Sequence, residues 1–120
     1  MSHMKNAVFL TLFGASVAGC AAYAPSFGER LGASEAMIRA AEEVGADEDP
    51  RAEAHLRLAR EQVQRATRLS ADGVPDRAQR MLLRAQADAE LALALTREAQ
   101  AQARTREALE AVGSIQRQLR

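Results

Sequence analysis

Between residues 78 and 103, Ala78, Leu82, Ala85, Ala89, Ala92, Thr96, Ala99 and Ala103 recur at alternating steps of four and three. That spacing puts all of them on one side of a helix. Most are alanines, so a neighbouring helix can approach closely along the whole stripe. A second ladder with the same steps lies upstream at Ala52, Leu56, Ala59, Val63, Ala66 and Ser70. Asp72, Gly73, Val74 and Pro75 separate the two and read as a turn. The pattern predicts an all-α chain. Its centre is an antiparallel helical hairpin with coiled-coil-like packing, over about 50–71 and 75–119, preceded by a short helix over about 34–44. Judged by distance from the turn, Ala59 and Ala89 should face each other. Gln62 and Gln86 lie off the stripes, where substitution should cost little.

Composition agrees with elongated helices rather than a globule. Aromatic residues make up only 3% of the 120-residue chain, and there is no Trp. The core must come from Ala, Leu, Val and Met, and each alanine buries little area. That disfavours a deep apolar pocket. The net charge is zero, so no overall field points to nucleic acid.

The single cysteine, Cys20, is explained by its position. Lys5 precedes an apolar run over 7–13, and small residues follow, ending at Val17, Ala18, Gly19 and Cys20. A basic start, a short apolar stretch and a small-residue end make a secretory signal, too short for a comfortable membrane span. Val17, Ala18, Gly19 and Cys20 resemble the lipobox of bacterial lipoproteins. The resemblance implies cleavage after residue 19 and a covalent lipid on Cys20. Ala21 rather than Asp follows, which implies the outer membrane, facing the periplasm, in a Gram-negative cell. The expected division is a signal peptide over 1–19, the lipidated cysteine and a flexible tether over 20–32, and the helical domain over 33–120.

Pro25, Gly28 and Gly32 argue against helix in the tether. Ser34 reads as the N-cap of helix 1 and Gly45 as the residue just past its end. Asp49 reads as the cap of helix 2, with Pro50 at its first position. Asp47, Glu48 and Asp49 lack the calcium-loop pattern, so capping suffices and no metal is expected. At 1.5 Å per residue, helix 2 is ~32 Å long and helix 3 ~65 Å. Ala99 and Ala103 therefore need another partner, and helix 1 is placed to supply it.

The last helix also carries a second stripe, Ala101, Thr105, Ala108, Val112, Ile115 and Leu119, nearly opposite the first. Val112, Ile115 and Leu119 are candidates for self-association or for docking a helical protein partner. Charge is segregated as well. Residues 29–53 hold eight acids and three arginines, and residues 54–86 hold seven arginines and three acids. Arg65, Arg68, Arg77, Arg80 and Arg84, at the hairpin tip, are candidates for contact with an anionic partner. His55 has no second ligand in a metal motif and reads as a solvated surface residue. Asp88 and Glu90 are two apart and do not share a helix face. No catalytic residue and no cofactor emerges.

The Ala-Ala-Glu-Glu-Val-Gly-Ala-Asp run at 40–47, Arg60, and the Asp-Ala-Glu-Leu-Ala run at 88–92 resemble a domain-of-unknown-function family of short helical bacterial lipoproteins. The resemblance covers about residues 33–105. Members occur alone or fused to an OmpA-like peptidoglycan-binding domain, and no such domain is expected after residue 120 here. The family supplies no catalytic residues. The expected function is a non-enzymatic envelope lipoprotein, a structural or adaptor module tethered through Cys20. The alternative is a binding module whose arginine-rich tip recognises peptidoglycan, another anionic envelope polymer or a partner protein.

Overall fold

The computed structural model describes residues 24–120. Its regular structure is all helical, with α1 over Phe27–Glu43, α2 over Pro50–Ala71 and α3 over Pro75–Gln118. The three helices pack against one another. The sequence-predicted bounds of α2 and α3 agree with these to within a residue. Pro50 and Pro75 open their helices where a missing N–H costs nothing. Gly45 and Gly73 follow α1 and α2 with φ of 85° and 73°, a backbone that only glycine adopts without strain.

The start of α1 differs from the sequence expectation. Residues 27–32 are its first turns, not part of a tether, and Ser26 is the N-cap. Ser26 Oγ accepts from the Glu29 N–H at 3.3 Å, and Glu29 Oε2 accepts from the Ser26 N–H at 2.7 Å. This reciprocal capping box satisfies two of the donors that a helix start leaves unpaired. Together with the packing of Ser34 against α3, it outweighs the propensity cost of Gly28 and Gly32, which is about 1 kcal/mol each relative to alanine. Ser34 is no cap. It is buried mid-helix, where its hydroxyl donates to Arg30 O at 2.9 Å and lies 3.2 Å from Leu82 O of α3. A Cβ at Gly32 would meet no atom within 4 Å. Gly32→Ala should therefore stabilise the fold by roughly 0.5–1 kcal/mol, read from a thermal melt followed by helical circular dichroism. An unchanged melt would return residues 27–32 to a non-helical tether.

Asp49 caps α2, accepting from the N–H groups of Arg51 at 2.8 Å and Ala52 at 3.3 Å. The Arg51 N–H is the main cause holding the Asp49 carboxyl below its usual pKa. Burial opposes the shift, while the Ala52 N–H and the Arg51 charge add to it.

The core is the meeting of the two ladders. Ala52, Leu56, Ala59 and Ala66 of α2, with Ala78, Leu82, Ala85, Ala89 and Ala92 of α3, are all fully buried. From the α1 side, Ser34, Ile38, Ala41 and Ala46 complete it. Side-chain pairs fix the course of α2 along α3: Arg51 lies 3.6 Å from Glu98, and Gln62 donates to Asp88 at 2.8 Å. Ala99 and Ala103 are half-buried. Gly45, Glu48 and Asp49 of the loop after α1, with Pro50 of α2, border one cleft with Ala99 and Ala103. Gln100 Nε2 donates to Val44 O at 2.8 Å there. Arg60 Nε donates to Glu42 at 3.0 Å and ties α2 to α1. Beyond Ala103, α3 runs on almost wholly exposed. No described helix is long and apolar enough to cross a membrane.

Candidate functional site

Three features of the surface have chemical content. The first is a polar cluster between α2 and α3. Asp88 Oδ1 lies 2.9 Å from His55 Nδ1, and Asp88 Oδ2 accepts from Gln62 Nε2 at 2.8 Å. A carboxylate can only accept, so Nδ1 of His55 carries a proton. The side chains of His55 and Asp88 are 32% and 22% exposed. His55 is thus no solvated surface histidine, and Gln62 is no bystander. Both corrections have one cause. His55 and Gln62 stand four before and three after Ala59, on the same side of α2. Asp88 stands next to Ala89, which the turn brings opposite Ala59, so its carboxylate reaches both. The signal was present in the sequence. It appears only when the two helices are read together, because His55, Gln62 and Asp88 meet across them.

The cluster resembles a base held by an orienting acid. Among the described residues His55 bonds only to Asp88, and no hydroxyl or thiol is bonded to its ring. Nor, among the described residues, do three His, Cys, Asp or Glu side chains gather as they would to hold a metal ion.

The second feature is a cleft of about 310 Å³ between α2 and α3 toward the turn. Arg65 and Arg68 of α2 and Arg84 of α3 line it, with Leu58, Gln62 and Met81. Helical spacing explains the selection. Arg65 and Arg68 are three apart and adjacent on one face, and Arg84 follows Met81 by three on the facing helix. Arg77 and Arg80, grouped with them on sequence grounds, do not line the cleft. Among the described residues, Arg57 pairs with Glu61 and Arg60 with Glu42, while the five arginines of the tip pair with no acid.

The third feature is the far end of α3. Leu109, Val112, Ile115 and Leu119 are 67%, 52%, 55% and 81% exposed. At 100° per residue they lie opposite the buried stripe, on a side that none of the three helices covers there. The lipobox residues Val17, Ala18 and Gly19, and the lipidation candidate Cys20, lie outside the described residues.

A family profile described as "Domain of unknown function (DUF4398)" matches residues 29–108, which is most of the described chain. The chain belongs to the DUF4398 family. No curated protein and no solved structure matches it. The DUF4398 match begins inside the first turn of α1 and takes in α2, the polar cluster and the arginine cleft. Of the exposed apolar row, Leu109, Val112, Ile115 and Leu119 all fall beyond its end.

Proposed function

We propose that this DUF4398 protein is a non-enzymatic cell-envelope lipoprotein, exported by a signal peptide over 1–19 and anchored by lipid on Cys20. Its domain is an antiparallel hairpin of α2 and α3 with coiled-coil-like alanine packing, braced by α1. It serves as a structural or adaptor module at the outer membrane of a Gram-negative cell. The observation that carries the adaptor role is the uncovered row Leu109, Val112, Ile115 and Leu119 on the projecting end of α3. A monomer seldom leaves a contiguous apolar row of this kind in water. A second copy of the chain, or a helix of another protein, would cover it.

Two experiments test the reading. Cys20→Ser should abolish incorporation of a palmitate analogue and release the protein from membranes. A wild-type protein that takes up no label, or a variant retained as before, removes the anchor. For the adaptor surface, residues 24–120 should associate weakly at high concentration in sedimentation equilibrium. Val112→Asp with Ile115→Asp should leave a monomer with an unchanged melting temperature. A wild-type domain that stays monomeric under the same conditions would take self-association away.

A second reading is favoured by one observation, the gathering of Arg65, Arg68 and Arg84 in one cleft that holds a single acid, Glu61. On that reading the domain is a binding module for an anionic envelope polymer or an acidic partner protein.

A further inference from the structure

A guanidinium stays charged at any physiological pH and presents its donors as a planar fork suited to oxyanions. Arg65, Arg68 and Arg84 bring such forks from two helices into one cleft of about 310 Å³. The carboxylate that also lines it, Glu61, is held by Arg57 at 3.3 Å. Three guanidinium groups against this one carboxylate leave the cleft with a net positive charge.

Gln62 adds a second requirement. It lines the same cleft, and its Oε1 is buried with no hydrogen-bond donor. The amide cannot relieve this by turning over. Its Nε2 donates to Asp88 at 2.8 Å, and a flip would set oxygen against a carboxylate. The orphan acceptor is closed off as the side chains stand, and an incoming O–H or N–H reaches it once a side chain at the cleft moves aside. The three arginine side chains of the cleft are exposed and held by no ion pair, so they are free to swing onto an entering group. Leu58 and Met81 offer apolar contact beside it.

From these features we infer that the cleft binds a phosphate group with a hydroxyl on a neighbouring carbon, that is, a polyol phosphate. The arginines take the phosphate oxygens, and Gln62 accepts from the hydroxyl. Leu58 and Met81 pack against the intervening methylenes. A lipid headgroup and a soluble ester share this chemistry. The inference rests on the binding-module reading and narrows it to one ligand class.

The test uses the full chain in detergent, with calorimetric titration and the Gln62 side-chain amide followed by NMR. Glycerol 3-phosphate should bind saturably, shift that amide, and bind more tightly than sulfate, which has no hydroxyl to offer. Arg65→Gln with Arg84→Gln should weaken binding by about tenfold or more, the scale of a lost charge-assisted contact. Arg97→Gln with Arg104→Gln, outside the cleft, should not. Gln62→Leu should erase the preference over sulfate while keeping the arginine-dependent part. In the lipid arm, tighter binding to phosphatidylglycerol vesicles than to the soluble ester, lost in the Arg65–Arg84 variant, identifies the headgroup as the source. Preference for the soluble ester identifies the free compound. Sulfate or polyglutamate binding as well as glycerol 3-phosphate would overturn the polyol phosphate and leave a general anion site. No cleft-dependent binding of any anion, or equal loss in the Arg97–Arg104 control, would overturn the binding module itself.

Discussion

Replacing Ala59 or Ala89 with leucine should destabilise the domain by about 1–3 kcal/mol in each case. Both residues are fully buried, and both belong to a cluster with Leu56, Ala92, Ile38 and Ala41. An alanine seam works by close approach of the helices, so added carbons have no space to occupy. They must push α2 and α3 apart or force strained rotamers. For a domain of this size, each kcal/mol lowers the melting temperature by about 4–8 °C. Because the two sites are close, the double variant should not be additive. Ala87 and Ala94 of α3 are exposed and supply the control. Leucine there should change stability by less than about 0.5 kcal/mol. Equal losses at buried and exposed alanines would mean that the packing face is misassigned.

Asp88→Ala should cost about 1–3 kcal/mol, because two donors lose their acceptor at once. His55 Nδ1 and Gln62 Nε2 both lie within 3 Å of its carboxylate. Partial exposure lets water take over some of this and pulls the figure toward the lower end. Gln62→Leu should cost less, since it removes a donor to Asp88 but also releases the buried oxygen that has no partner. Gln86→Leu gives up only a contact with Glu90 one turn along α3, worth a few tenths of a kcal/mol. A double-mutant cycle between His55 and Asp88 measures the pair directly. No coupling between them, together with a neutral Asp88→Ala, would reduce the cluster to a surface contact.

The core was legible because steps of four and three place a residue on a helix face whatever its neighbours do. The bounds of α2 and α3 were legible because proline, aspartate and glycine act locally, at the ends they mark. The start of α1 was not. Gly28 and Gly32 lower helix propensity, and Ser34 has the composition of a cap. The decision went to the Ser26–Glu29 box and to the packing of Ser34 against α3, and only the box can be read along the chain. The sites divide in the same way. Arginine enrichment near the turn is a matter of composition. That Arg84 joins Arg65 while Arg77 and Arg80 stand aside depends on how two helices are aligned and rotated. That the loop after α1 shares a cleft with Ala99 and Ala103 likewise depends on where α1 docks along α3.

A seam of near-identical rungs also has little sense of address. If one helix slid past another by one heptad, about 10.5 Å, alanine would again meet alanine. Between α2 and α3 the connection of Asp72, Gly73 and Val74 is too short to permit it. α1 is joined by a longer segment, residues 44–49, and has more play. What distinguishes its register along α3 is one large buried side chain, Ile38, and a handful of contacts that occur once each: Ser34 with the Leu82 carbonyl, Val44 with Gln100, and Glu42 with Arg60 of α2. Weakening them would leave the alanine seam of α2 and α3 in place but remove the means by which α1 tells one heptad of α3 from the next. α1 could then drift along α3 as on a worn ratchet, with the total helix content unchanged.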